Sequence, residues 1–381
     1  MDLGNVEAAI LDIREGRMVI VVDEEDRENE GDLTMAAEKV TPEAINFMAT
    51  CGKGLICMPM MPERLDELGV PLMVSDNESA HETAFCVSIE ARHNVSTGIS
   101  AADRATTILT AANPETRAKD LIKPGHVFPL RSRRGGVLKR AGQTEASVDL
   151  ARLAELSPAG VICEVMNEDG TMARLSDLKK FSQKHNIRII SVVDLIKFRL
   201  RTERFVKCIH QSTFDSDFGN FKLHVFENEI DGELHLAFVK GDIRGKEPVL
   251  VRVQKEALLG DVFLDSREIS GRELRSSLRI IQEAGRGVFV YLRLKEEQKR
   301  FLQSIQSQTS NNPRNIDSDD FRNYGIGAQI LTGLGLQKIK ILTNHPKKMV
   351  GVDGFGLVIT DQLSVETYES SVNLEAKPEL V

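Results

Sequence analysis

The sequence predicts two domains in tandem: an α+β domain built on an α/β-like mixed sheet with flanking helices, then a second, mixed α/β domain. Three observations predict it. At 381 residues the chain is long enough for two or three separate cores. The first half alternates short β-rich runs with helical patterns, the sign of strands covered by helices. After a basic stretch near residue 200, the second half starts a new series of alternating strands.

The elements follow in order. Ala8, Ile10, Leu11 and Ile13 give one helical face that Gly16 ends. The β-branched run MVIVV (18–22) is a buried strand. In TPEAINFMAT (41–50), Thr41 caps a helix that has Pro42 at its first position. Strand-like runs follow at GLICMPM (54–60), AFCVSIEA (84–91), GVICEVM (160–166) and IRIISVVDLI (187–196), with helical SDLKKFSQKH (176–185) between the last two. RLRTERFVK (199–207) reads as a basic connector, so the first domain is set at 1–200 and a linker at 201–206. The second domain, 207–369, opens with FKLHVFEN, ELHLAFVKGDI and PVLVRVQ as strands and adds GVFVYLRL (287–294). The polar stretch 296–320 holds SNNPRN, read as a mobile loop. A helix at GAQILTGLGL and a strand at KIKILT come next, and 370–381 reads as a disordered tail. There is no internal repeat.

Composition narrows the function. A hydrophobic content of 41% with 28% charged residues is that of a globular protein. A net charge of −8 leaves no basic surplus for nucleic acid or an anionic membrane. Five scattered cysteines form no CxxC pair, so reduced thiols are the simplest reading. The N-terminus reads as an amphipathic helix, not a signal peptide, and no apolar run reaches the length of a membrane span. The expected location is the cytoplasm.

Three stretches carry candidate chemistry. Asp23, Glu24, Glu25, Asp26, Glu28, Glu30 and Asp32 crowd within ten positions around Arg27. Such a run is either a solvated turn or one side of a cation site, since Mg²⁺ takes one or two protein carboxylates and completes its shell with water or substrate. Arg27 pairs with these neighbours or with an anionic substrate. Arg131, Arg133, Arg134, Lys139 and Arg140 surround a Gly135–Gly136 turn, either a phosphate pocket or an exposed basic hairpin. Glu164 sits inside an apolar strand, where a carboxylate is paired or has a raised pKa and works as acid or base. His126, a lone histidine upstream of the basic turn, is structural or catalytic.

Together, DEEDRENEGD (23–32), STGISAADRATT (96–107), GHVFPLR, RAGQTEASVDL and CEVMNEDGTMAR resemble the 3,4-dihydroxy-2-butanone 4-phosphate synthase family over about residues 5–200. The resemblance implies a homodimeric lyase with sites near the subunit interface. With Mg²⁺ or Mn²⁺ it would convert ribulose 5-phosphate into the four-carbon ketone phosphate and formate. It implies that Arg27 and Asp32 contact substrate, and that Glu28 binds metal and substrate, with Glu30 in the same loop. Asp23 to Asp26 are then exposed neighbours. Arg140 and Thr144 would hold the phosphate end, with Ala141 and Gly142 also binding substrate, and His126 and Glu164 would move protons, Glu164 also touching substrate. Cys57 falls near a family cysteine but reads better as a buried strand thiol. One position departs: the family's second metal ligand is a histidine, and this chain has Gln143. An amide oxygen can ligate Mg²⁺ but cannot exchange a proton, so weaker metal binding and lower activity are expected.

The second domain resembles GTP cyclohydrolase II in outline. The three zinc cysteines of that family fall at Ala257, Glu268 and Ser270, none a thiolate, so no zinc is expected. LKEEQKRF (294–301) replaces a glycine-rich segment, while Asp320, Arg322, Thr343 and Lys348 stand where the family handles GTP. The leading reading is an active synthase fused to a cyclohydrolase-like domain without cyclohydrolase activity. Second comes a non-catalytic paralogue that binds sugar phosphate or nucleotide, and third a bifunctional enzyme.

Overall fold

The computed structural model describes residues 5–24, 27–265, 269–293, 318–344 and 355–365, without the side chains of 318–322. The chain divides into two compact units, Met1–Arg199 and Leu200–Val381.

The first unit is a seven-stranded mixed sheet. Its strands are β1 (Val19–Val22), β2 (Gly31–Ala36), β3 (Cys57–Met60), β4 (Ile89–Ala91), β5 (Leu121–Arg131), β6 (Gly160–Glu164) and β7 (Arg188–Ser191), in the order β4-β5-β3-β6-β2-β1-β7. β1–β7 and β3–β5 run parallel and the other neighbours antiparallel. The helices are α1 (Val6–Arg14), α2 (Pro42–Phe47), α3 (Pro62–Glu67), α4 (Ala101–Ala112), α5 (Gln143–Leu153), α6 (Leu175–His185) and α7 (Val192–Thr202). Side chains alternate across a sheet. Leu33, Met35, Val161 and Cys163 enter one core with Ile45 of α2, Ile108 of α4 and Leu178 of α6. Their neighbours in sequence, Asp32 and Glu164, therefore turn to the other face. α5 packs against β2, β3 and β6.

Two local signals explain where the elements begin. Thr41 Oγ1 accepts from the Ala44 amide at 3.2 Å, with Pro42 opening α2. The run 187–196, expected as one strand, is strand only to Ser191. Ser191 Oγ accepts from the Asp194 amide at 3.0 Å and donates to the Asp194 carboxylate at 2.7 Å. This cap turns the following valines into the first turn of α7. α7 then runs through Thr202, so residues read as a connector include a helical turn.

The second unit is also a seven-stranded mixed sheet, ordered β14-β13-β11-β12-β10-β9-β8. The strands are β8 (Val206–Ser216), β9 (Gly219–Asn228), β10 (Leu234–Lys240), β11 (Val249–Lys255), β12 (Gly287–Leu292), β13 (Lys338–Leu342) and β14 (Val358–Leu363). β8, β9, β10 and β12 pair antiparallel; β12, β11, β13 and β14 pair parallel. Helices α8 (Leu258–Asp261), α9 (Ser270–Glu283) and α10 (Ser318–Gly333) accompany it. The SNNPRN loop and the tail from 370 lie outside the described residues. No helix among the described residues is long and apolar enough to cross a membrane.

Candidate active site

The acidic loop between β1 and β2 is organised by Asp23. Its Oδ2 accepts from Arg27 Nη1 at 2.6 Å and from the Glu28 amide at 3.2 Å, and its Oδ1 accepts from the Glu30 amide at 2.9 Å. The side chain is 1% exposed. Asp23 was expected among exposed neighbours; it is instead the buried acceptor that closes the turn, because a short carboxylate at a strand end reaches amides of the returning loop. Glu25 and Asp26 lie outside the described residues.

Arg27 ties this loop to the start of α5. Its Nη1 also donates to Gln143 Oε1 at 2.9 Å, and its Nη2 lies 3.1 Å from Glu28 Oε1. Gly142 precedes α5, and a Cβ there would lie 2.6 Å from Arg140 Nη1 and 3.0 Å from Arg27 Nη2. Two guanidinium groups thus converge on the N-terminus of α5, whose first amides have no partner within the helix. Arg140 pairs with buried Glu145 at 2.8 Å and donates to His81 O and Thr83 Oγ1. Thr144 is buried in the first turn, and Ala141 is half-buried beside it. The remaining arginines of the basic stretch pair on the surface, Arg131 with Asp66, Arg133 with Glu82 and Arg134 with Glu63. Arg140 turns inward.

Asp32 and Glu164 face each other directly across the antiparallel β2–β6 ladder. Burial pushes the Asp32 carboxyl well above its ordinary range, and the charges of Glu164, Glu28, Glu30 and Asp23 push the same way. Burial also raises Glu164, although the Leu55 amide donates to its Oε2 at 2.8 Å. A Cβ at Gly54 would lie 2.5 Å from that oxygen, so the approach of this backbone to the carboxylate requires glycine. Glu30 is raised as well, by burial first and by Glu28 second.

His126, on β5, belongs to a second cluster. Its Nδ1 lies 2.6 Å from Oε2 of buried Glu90, whose Oε1 accepts from Thr107 of α4 at 3.1 Å. Gly98, at φ +94°, leaves room for that pair: a Cβ there would lie 2.4 Å from His126 Nδ1. The loop around Gly98 is pinned by Asp103, which accepts from the Ser96 amide, Ser96 Oγ and the Gly98 amide. Those bonds hold its carboxyl at about 2. No described bond links His126 to Asp32 or Glu164, and the His126 side chain is 44% exposed. Glu90, Thr107 and Asp103 escaped the sequence reading, although the last two lie inside the STGISAADRATT motif. Cys57 is buried, and burial raises its thiol.

For a divalent cation, the Glu28 carboxylate is a partly exposed hard-oxygen donor. Gln143 is different: its Oε1 is engaged by Arg27, and its buried Nε2, a donor, has no partner. Among the described residues no group of three or more His, Cys, Asp or Glu forms a cage.

In the second unit, Ala257 and Ser270 are linked through Asp261 and Gln254 by hydrogen bonds to their backbone atoms. Asp261 Oδ2 accepts from the Ala257 amide and Tyr291 Oη, both at 2.8 Å. Gln254 Nε2 donates to Asp261 Oδ1 and to the Ser270 carbonyl, both at 3.0 Å. Glu268 and Lys348 lie outside the described residues, as do the side chains of Asp320 and Arg322. The Thr343 amide donates to Leu363 O.

Residues 7–198 match the 3,4-dihydroxy-2-butanone 4-phosphate synthase family and residues 207–364 the GTP cyclohydrolase II family. The riboflavin biosynthesis protein RibBA of Aquifex aeolicus (strain VF5) is 48% identical, over 97% of this chain and 94% of its own. The crystal structure of RibBX of A. baumannii, described as a two-domain 3,4-dihydroxy-2-butanone 4-phosphate synthase, superposes with a TM-score of 0.79. That comparison is at 38% identity and covers 94% of this chain and 99% of that one. A 3,4-dihydroxy-2-butanone 4-phosphate synthase crystallised with two magnesium ions is also 38% identical, at a TM-score of 0.50, over 52% of this chain and 98% of its own. With both family matches in chain order, and a relative this similar over almost its whole length, the chain belongs to the riboflavin-biosynthesis family that joins a 3,4-dihydroxy-2-butanone 4-phosphate synthase domain to a GTP cyclohydrolase II domain.

Proposed function

We propose that the first domain converts D-ribulose 5-phosphate into L-3,4-dihydroxy-2-butanone 4-phosphate and formate, at a site built from Arg27, Glu28, Asp32, Arg140, Ala141, Gly142, Gln143, Thr144 and Glu164, with His126 as a further proton carrier. The observation that carries the reading is the raised Asp32–Glu164 pair, in the field of the same Glu28 loop that Arg27 fastens to α5. The five carbons of the sugar divide into four and one, so no oxidant is needed. Enolisation requires a group that takes a proton beside the carbonyl and returns it. Asp32 and Glu164, raised by burial, bind protons more tightly than ordinary carboxylates and suit that role. Glu90 holds Nδ1 of the His126 ring and leaves Nε2 free to work outward. Arg140, Thr144 and the N-terminus of α5 receive the phosphate end, as a helix start flanked by guanidinium groups favours an anion. When bound, Mg²⁺ or Mn²⁺ would supply a Lewis acid for charge developing at the carbonyl oxygen, held on the protein side by Glu28. Because His126 is half-exposed and bonded away from the carboxylate pair, it can meet a group from outside its own chain, which supports a homodimer. The cytoplasm remains the expected compartment.

The second domain, in this reading, performs no GTP ring opening. Ala257 offers no side-chain donor, Ser270 only a neutral hydroxyl, and the positions are bridged by Gln254 and Asp261; zinc needs a full ligand set to activate water. The A. baumannii protein, similar over nearly its whole length, is described as a two-domain synthase. The test is formate release by the full chain, with ribulose 5-phosphate and Mg²⁺ in one arm and GTP and Zn²⁺ in the other. Formate is expected in the first arm only. Silence in the first arm, with sugar phosphate still bound, would replace the catalytic reading by a binding one, and formate from GTP would overturn the account of the second domain.

A further inference from the structure

Gln143 is 4% exposed, and its two amide atoms have opposite fates. Oε1 accepts from Arg27 Nη1 at 2.9 Å, while Nε2 is buried without an acceptor. The amide cannot be turned to exchange them, because its NH₂ would then face the guanidinium donor to donor. The group left without a partner is therefore a hydrogen-bond donor. It sits on the first residue of α5, beside Gly142, where Arg27 and Arg140 converge. A free amide donor suits an electron-rich oxygen and not a cation, which takes lone pairs.

We infer that Gln143 is a substrate-binding residue, its Nε2 donating to an oxygen of the bound sugar phosphate, and not a metal ligand. The inference rests on the synthase reading for the identity of that ligand class. It deepens that reading in one respect: the cation has Glu28 on the protein side and takes further oxygens from the sugar. Cation and sugar phosphate then bind interdependently, each raising the affinity of the other by the same factor.

The experiment measures binding, without turnover. Mn²⁺ affinity of the full chain is read by electron paramagnetic resonance with and without ribitol 5-phosphate, which lacks the carbonyl and cannot enolise. Ribitol 5-phosphate affinity is read by calorimetry. Gln143→Met keeps the length and removes the donor; Gln143→Glu keeps the shape and replaces the donor by an anionic acceptor. Both variants are expected to bind ribitol 5-phosphate about tenfold or more weakly. Without the sugar, Gln143→Met is expected to bind Mn²⁺ as the parent does and Gln143→Glu more tightly. A fall in Mn²⁺ affinity for Gln143→Met without sugar would make the amide a metal ligand and overturn the inference. Unchanged sugar affinity in both variants would overturn it too, as would a parent chain that does not bind ribitol 5-phosphate. A parent that binds it with these variant effects but releases no formate from ribulose 5-phosphate would sink the catalytic reading and leave the donor role standing.

Discussion

The carboxylates of the two domains keep different company. In the first, Asp32, Glu30 and Glu164 lie in the field of one another and of Glu28, and all three are held above their ordinary range. In the second, Glu273 meets Arg252 at 2.5 Å and Asn344 Nδ2 at 2.8 Å, and Asp261 takes donors from Tyr291, Gln254 and the Ala257 backbone. Facing acids lower stability unless something outside the protein offsets them, and such strain gathers where chemistry is done. Acids whose oxygens already meet donors have little capacity left for a ligand. On the proposed function the difference would separate a site kept for work from one absorbed into the fold, and it can be broken by substitution.

The largest effect is expected at the raised pair. Glu164→Gln and Asp32→Asn should each lower formate release about 10²–10⁴-fold, yet raise the melting midpoint at pH 7 by a few degrees. The sign follows from linkage. A carboxyl raised in the folded state gives its full contribution to stability below the ordinary values of 3.8 for Asp32 and 4.5 for Glu164. That contribution is lost as pH rises through the folded value. An amide has no such slope, so parent and variant melting curves should separate from mildly acidic pH upward. Variants that melt lower than the parent at neutral pH would make the pair a structural one.

In the second domain the signs should reverse. Arg252→Met leaves Glu273 buried without its cation, which costs about 3–5 kcal/mol. Urea unfolding should show that loss in the second domain, while formate release from ribulose 5-phosphate stays near the parent rate. Pairing the change with Glu273→Leu should recover most of the stability. A large fall in formate release from Arg252→Met would tie the satisfied network to the synthase chemistry and erase the contrast.

What could be read in advance follows the reach of each interaction. The strand at 18–22, the Thr41–Pro42 helix start and the helix at 176–185 are set by neighbours in sequence, and the fold keeps them. Ser191 and Asp194 are just as local, but the β-branched residues between them continue the strand pattern and hide the cap. Arg27, Glu28, Arg140 and Gly142 could be singled out as candidates because long motifs carry them, whereas the Arg27–Gln143 bond spans 116 positions and has no local trace. Asp23 was misjudged for the opposite reason. A dense run of acids looks solvated, and only the returning backbone shows that one of them is enclosed. Glu90 reaches His126 across 36 positions, through strands paired with a register shift.

That last contact offers the third test. Glu90→Gln removes the carboxylate at His126 Nδ1 and leaves the ring less firmly placed. A misplacement of this kind lowers kcat by roughly 10- to 100-fold, with KM for ribulose 5-phosphate little changed, and Glu90→Asp should recover part of the loss. Glu90 is a positioning residue in this account. A rise in KM with kcat intact would make it a substrate contact instead.

The smallest effect is expected from Tyr291→Phe. The Tyr291 hydroxyl donates to Asp261 Oδ2, and burial together with that bond pushes the phenol up, so it remains a donor through the usual pH range. Removing it leaves Asp261 with the Gln254 amide and the Ala257 backbone. The loss should therefore be that of one ordinary hydrogen bond, about 0.5–1.5 kcal/mol in urea unfolding, and flat between neutral and mildly alkaline pH. The size matters more than the sign. A loss approaching that of Arg252→Met would show that the bonds around Asp261 stand or fall together, as in a cooperative buried network. A gain would mean that Asp261 is strained as Asp32 is, and the second domain would then have kept a site after all.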